Sequence, residues 1–147
     1  MNSNNNKVAI VTGGAKNIGR ATCLELAKLD FNVLIHANTD KIGAEETKTF
    51  VDDYNVNSRI IIGDLTNQNF VNDLVNEASK LGNLSVLVNN ASQRNFFKFE
   101  DMTYEDWRHI LNINLDAVFL TCKKAIPLMK KNSWGRIINL GGLSAHI

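Results

Sequence analysis

The residues best suited by type and spacing to do chemistry are Thr12-Gly13-Gly14-Ala15-Lys16-Asn17-Ile18-Gly19, and the chemistry is phosphate binding. The apolar run Val8-Ala9-Ile10-Val11 leads straight into this stretch, and a helical pattern begins at once around Ile18. A strand, a glycine turn and a helix in that order gather unpaired backbone N–H groups at the positive end of a helix dipole, equivalent to roughly +0.5 charge. Gly13 and Gly14 lack the Cβ atoms that would hold a pyrophosphate off the backbone, and Gly19 lets the helix approach the strand. An ordinary tight strand-to-helix connection is the competing reading. The spacing is not Gly-x-Gly-x-x-Gly, so the general dinucleotide fingerprint is not matched.

The elements that must position this turn follow from the hydrophobic pattern. Ile18, Ala21, Leu24 and Ala27, widened by Cys23 and Leu26, mark a helix ending near Asp30. Residues 33–35, 59–62, 86–88 and 136–140 are short apolar runs that read as strands, and a polar helix spans about 43–54. Phe70, Val71, Leu74, Val75 and Ala78 lie on one face of an amphipathic helix, and a short helix is expected around Trp107. A long helix from Leu115 to Met129 is apolar on two sides, which implies two buried neighbours or a neighbour and a partner subunit; Pro127 is expected to bend or end it. Strands alternating with helices predict an α/β fold, a doubly wound parallel sheet in the order 3-2-1-4-5 with the glycine turn at its switch point. The special residues then collect along one carboxyl edge of that sheet.

Composition narrows the function classes. The 147 residues are enough for one domain with a sizeable core, and 44% hydrophobic with 21% charged residues is ordinary for an α/β protein. A net charge of +1 argues against bulk electrostatic binding to nucleic acid or to an anionic membrane. Residues 1–6 are polar and read as a disordered tail, and neither a secretion signal nor a membrane span is expected. Cys23 and Cys122 have no metal-ligand spacing, and both read as buried small hydrophobes in a reducing, cytoplasmic setting.

The Thr-Gly-x-x-x-Asn-x-Gly turn resembles the TGxxxGxG turn of the short-chain dehydrogenase/reductase family, with Asn17 in place of the middle glycine. Asn tolerates left-handed backbone better than other non-glycine residues, so the departure is mild. Further motifs fall in the family's order. Asn89-Asn90-Ala91-Ser92 resembles the NNAG motif, Ile113-Asn114-Leu115 the segment of the catalytic asparagine, and Gly135-Arg-Ile-Ile-Asn-Leu140 the strand leading to the catalytic serine.

The resemblance implies a Rossmann-like NAD(P)-binding domain over residues 1–147 and hydride transfer between a nicotinamide cofactor and a small-molecule carbonyl or alcohol substrate. It implies cofactor contacts from Gly13, Gly14, Lys16, Asn17, Ile18, Gly19, Asn38, Thr39, Asp64, Leu65, Asn89, Asn90 and Ala91. Asn114 would hold a water in a proton relay. No acid stands at Ala37 or Asn38 to grip the ribose hydroxyls, and Lys16 matches a basic position that many NADP(H) users place beside the 2′-phosphate, so NADP(H) is favoured over NAD(H). Thr39 and Lys41 add donors; the competing view is that both lysines are solvated surface charges. Asp64 either accepts from the adenine amino group or caps a helix, and Asn89-Asn90 could instead form a simple Asx turn.

Beyond Asn17, and Ser92 in place of the last Gly of NNAG, two larger departures are evident. The family's substrate-holding serine falls on Gly142, leaving Ser144 as the catalytic candidate to replace it if the loop bends at Gly141-Gly142, or as a plain loop serine. The family's Tyr-x-x-x-Lys pair would lie just past Ile147, so the chain reads as a truncated, cofactor-binding part. Residues 136–140 then become an exposed sheet edge, and Phe119, Cys122 or Ile126 face solvent or a second subunit, as in a homo-oligomer. The alternative function is a catalytically incomplete NADP(H)-binding module; a flavodoxin-like domain shares the sheet type but gives no reason for the Asn-Asn-Ala or Asn114 segments.

Overall fold

A computed structural model describes residues 6–94 and 98–142. In chain order they form β1 (Lys7–Val11), α1 (Asn17–Lys28), β2 (Asn32–Ala37), α2 (Lys41–Asp52), β3 (Ser58–Ile62), α3 (Gln68–Leu81) and β4 (Asn83–Asn89). A single 3-10 turn (Phe99–Asp101), α4 (Tyr104–Leu111), a π-helical turn (Asn112–Asp116), α5 (Ala117–Lys131) and β5 (Arg136–Asn139) follow. The strands make one parallel sheet in the order β3-β2-β1-β4-β5, the expected doubly wound topology.

Side-chain alternation along the central strands divides the core into two layers. Val8 and Ile10 of β1 join Leu34, Leu84 and Leu87 beneath α3 and α5, whereas Ala9 and Val11 join Val33, Ile35, Val86 and Val88 beneath α1 and α2. β2 is buried at every position, while β3 and β5, at the two sheet edges, are only partly covered.

Several expected boundaries move for a common reason. The run expected at 33–35 lengthens to Asn32–Ala37 and that at 86–88 to Asn83–Asn89, because Asn32, His36, Ser85 and Asn89 are buried polar residues whose side chains find hydrogen-bond partners. α2 starts two residues before Gly43 because the Asp40 side chain accepts from the Gly43 N–H at 2.9 Å. Asn6, assigned to the tail, accepts from the Asn83 N–H at 2.6 Å, and so is tied to the start of β4.

Pro127 does not end α5, which continues to Lys131. Lys123, whose carbonyl loses its i+4 donor, and Pro127 both lie on the exposed side, where water can satisfy that oxygen. α5 buries Ala117, Thr121, Ala125 and Met129, and leaves Phe119 and Ile126 exposed. At the β5 edge Ile138 and Leu140 are also exposed.

The cysteines differ. Cys23 is fully buried, and burial pushes its thiol up to about 12, whereas Cys122 is only half-buried, its sulfur accepting from the Asn89 amide at 3.4 Å. A thiol reagent at pH 8 is therefore expected to modify Cys122 in the folded protein and to reach Cys23 only after denaturant is added. Labelling stoichiometry before and after unfolding, read by mass spectrometry, checks this.

Candidate functional site

The glycine turn leaves β1 through Thr12, which is buried, and enters left-handed backbone at Gly13 (φ 65°) and again at Asn17 (φ 49°). Asn17 therefore takes the conformation for which glycine or asparagine is suited. Gly19 sits on the first turn of α1, where an added Cβ would overlap the Gly13 carbonyl oxygen and lie 2.7 Å from Asn90 Nδ2. The bare backbone at Gly19 lets α1 seat on the turn.

Gly14 has a different reason for lacking a side chain from the one expected. A Cβ there would meet Ile35 Cγ2 at 3.0 Å and Cys23 Sγ at 3.1 Å, so it faces the core and not the cleft. Its N–H donates to the His36 carbonyl at 2.7 Å.

The α1 N-terminus has no side-chain cap, in contrast to α2, α3 and α4, which are capped by Asp40, Asn67 and Thr103. The amides of Asn17, Ile18 and Gly19 precede the first intrahelical donor, Arg20 N–H to Lys16 O at 3.1 Å. Lys16, Asn17, Ile18 and Gly19 line a cleft of about 360 Å³ that also takes in Asn38 and Thr39. That volume suits a small-molecule ligand, and unsatisfied amides at a helix N-terminus are donors suited to a diphosphate.

Asn90 locks the turn from the far side. Its Nδ2 donates to the carbonyls of Thr12 at 2.9 Å and Gly13 at 3.0 Å. Thr12 Oγ1 accepts in return from the N–H groups of Asn90 and Ala91, both at 3.0 Å, and donates to the Val88 carbonyl. Asn89 points to the other side of β4, where its Nδ2 donates to Asn139 Oδ1 at 2.8 Å and its Oδ1 accepts from Thr121 Oγ1 at 2.8 Å. These amides are structural bridges between strands, and Asn90 and Ala91 also line the cleft.

At the end of β2, Lys16 Nζ stands 3.9 Å from Asp40 Oδ2, with the two side chains 71% and 42% exposed. Such a surface pair contributes little to stability, so a stronger anion can displace it. Asp64 is not the cap of α3; Asn67 is, and Asp64 Oδ1 accepts instead from the Thr66 N–H at 2.8 Å. Asp64 and Leu65 line a second cleft of about 310 Å³, which shares His36, Asn38, Ala91 and Ser92 with the first.

Asn114 lies in the π-helical turn, where its side chain bonds the backbone of Gln93 twice. Oδ1 accepts from the Gln93 N–H and Nδ2 donates to the Gln93 carbonyl, both at 2.9 Å. The irregular turn thus fastens the loop after β4, and Asn114 shares a third opening with Ile18, Asn139 and Gly142. Ser144 lies outside the described residues, as do Phe96 and Phe97, which read as an apolar wall in the sequence.

Two roles at the candidate site were not read from the sequence, although Thr12 itself stood in the quoted turn. Thr12 is the hub joining β1 to β4, and His36 is a buried imidazole touching the turn itself. The threonine's place directly before the glycines was an available signal; the histidine had none beyond its position at a strand end. Among the described residues no cluster of His, Cys, Asp or Glu is placed to hold a metal ion. No helix among them is long and apolar enough to cross a membrane.

A model of the short-chain dehydrogenases matches residues 7–146. The chain is 36% identical over 146 residues to D-beta-hydroxybutyrate dehydrogenase of Rhizobium meliloti (strain 1021), covering 95% of this chain and 54% of that one. Its structure is similar to that of acetoin dehydrogenase YohF from Salmonella typhimurium, with TM-score 0.88 and 34% identity over 97% of this chain and 57% of the other. It is similar also to a 3-oxoacyl (acyl-carrier-protein) reductase from Agrobacterium tumefaciens C58 with NADP bound, at TM-score 0.85 and 25% identity, covering 93% and 53%. The chain spans about half the length of the curated relatives it matches. With the turn, the sheet order and the strand-end amides in agreement, the chain belongs to the short-chain dehydrogenase family.

Proposed function

We propose that the chain supplies the nucleotide-binding part of an NADP(H)-dependent oxidoreductase of the short-chain type, acting on a carbonyl or alcohol. The observation that carries this reading is the uncapped N-terminus of α1, opening into a cleft directly behind the left-handed turn at Gly13 and Asn17. The bound nicotinamide supplies the hydride chemistry, and the protein supplies alignment. The amides of Asn17, Ile18 and Gly19 hold the diphosphate, Asp64 and Leu65 border the adenine, and Asn90 and Ala91 fix the turn that receives them. Asn114 holds the loop after β4 and stands ready to hold a water.

Lys16, Asn38 and Thr39 face the ribose 2′-phosphate, whose charge replaces the Asp40 partner of Lys16. NADPH is accordingly expected to bind about tenfold tighter than NADH, the worth of one hydrogen bond to a charged group. Lys16→Ala should remove most of that preference while leaving NADH affinity within about twofold, because NADH carries no 2′-phosphate. Fluorescence titration of the purified chain with both nucleotides tests it; equal affinities, or tighter NADH binding, overturn the preference.

The second reading, a nucleotide-binding module without turnover, is favoured by Gly142 where the family's substrate-holding serine is expected. Turnover of a carbonyl panel by this chain alone would decide for the enzyme. A homo-oligomer fits the exposed Leu115, Phe119 and Ile126, and a cytoplasmic setting fits two free cysteines.

A further inference from the structure

We propose that His36 is a positioning residue: its neutral imidazole, pinned between the Gly13 amide and the Gly63 carbonyl, holds the glycine turn in its nucleotide-binding form, and protonation releases it. The inference rests on the nucleotide-binding reading above and adds a pH-sensitive latch to that site.

The geometry assigns the proton. His36 is 1% exposed in the middle of the sheet edge, with Nε2 2.9 Å from the Gly63 carbonyl oxygen and Nδ1 3.2 Å from the Gly13 nitrogen. The carbonyl can only accept, so Nε2 carries the hydrogen; Nδ1 is then a bare lone pair, and it accepts from the Gly13 N–H. One residue therefore fixes both amides of the turn, Gly13 through its ring and Gly14 through its own carbonyl at 2.7 Å. With those amides directed at β2, Gly13 is held at φ 65° and the chain enters α1 with its first-turn amides toward the cleft. The Phe70 ring packs beside the imidazole at 5.7 Å between centroids and limits its rotation. A second proton on Nδ1 would set one N–H donor against another and break the Gly13 bond.

The charges around the ring come from every side of the cleft. Asp64 from the β3–α3 connection favours the protonated ring, as does the Gly63 carbonyl, but burial outweighs both and lowers the His36 pKa from its ordinary 6.5. Lys16 from the turn and Asp40 from the β2–α2 connection line the first cleft, and His109 of α4 lines the second; α3 presents the uncharged Phe70. The sign follows: the latch is closed at neutral pH and opens as pH falls through the lowered pKa. The stability it contributes is complete above 6.5, the ordinary histidine value, and lost as pH falls through the folded value.

The test pairs two isosteres. Asn places an oxygen where Nδ1 stands and keeps the acceptor for Gly13; Gln reaches toward Gly63 but leaves Gly13 without one. NADPH affinity is measured from pH 5 to 8 in a His109→Gln background, so that His36 is the one histidine left lining the two clefts. His36→Asn should bind within about twofold of the parent at pH 7.5 with no acid limb from this site, and His36→Gln about tenfold more weakly, the worth of one hydrogen bond. Nitrogen-15 NMR of the nucleotide-free chain should show the Nε2–H tautomer at pH 7 and a Gly13 amide shift that follows the ring's titration. An Nδ1–H or protonated ring at pH 7, a Gly13 amide indifferent to it, or a His36→Gln variant equal to the parent overturns the latch. If no variant binds NADPH, the nucleotide reading falls, and the Gly13 amide still decides the latch.

Discussion

Gly19→Ala is expected to lower nucleotide affinity about 100-fold, within the worth of one hydrogen bond to a charged group. The added Cβ would overlap the Gly13 carbonyl oxygen and crowd Asn90 Nδ2, and neither atom can yield cheaply. The first belongs to the backbone of a turn held by His36, and the second already donates to two carbonyls. α1 must therefore lift from the turn, carrying the amides of Asn17, Ile18 and Gly19 out of register with a diphosphate. The strain should also lower stability by about 1–3 kcal/mol, the usual cost of overpacking. Nucleotide titration together with a urea melt separates the two effects; wild-type affinity would show that the seat of α1 on the turn does not matter for binding.

Thr12→Val should be the more damaging change for stability. The hydroxyl of Thr12 is the acceptor for the N–H groups of both Asn90 and Ala91, and valine keeps the shape while removing that oxygen. An orphaned buried donor costs about 1–3 kcal/mol, so two half-buried ones should cost about 2–4 kcal/mol together. The Val88 carbonyl keeps the Thr12 backbone N–H at 3.0 Å and adds nothing to the loss. Thr12→Ser retains the oxygen and should lose about 1 kcal/mol, mostly for the missing methyl. The urea midpoint should fall with an unchanged slope. A midpoint equal to that of the parent would mean that the loop after β4 finds other partners for these amides.

Both predictions involve Asn90 or its neighbour Ala91, more than 70 residues from the turn, and such distant contacts divide what was legible from what was not. The turn could be read because its chemistry is local: glycines at fixed offsets between an apolar strand and an amphipathic helix, with an asparagine at the one left-handed position that tolerates it. α3 was equally plain, since its buried residues Val71, Leu74, Val75 and Ala78 repeat at helical spacing. β2 and β4 were read too short because a hydrophobic pattern stops at a polar residue. His36 and Asn89 stay in their strands only because partners on other elements take their hydrogen bonds.

Asp64 and Gly14 show the same limit at the site itself. A carboxylate after a strand has several local uses, and Asn67 is better spaced to cap α3. A glycine in a turn can face a ligand or the core; only the positions of Ile35 and Cys23 reveal that Gly14 faces the core.

The order of residues by itself determined the α/β class, the parallel sheet and the place of the glycine turn, because strand and helix periods and glycine backbone freedom act over a few neighbouring residues. Tertiary structure alone decided that Asn90, 78 residues from Thr12, would clamp the turn and that a histidine of β2 would hold its amide. Buried hydrogen bonds require a donor and an acceptor to meet in space, and a linear pattern carries no record of that meeting.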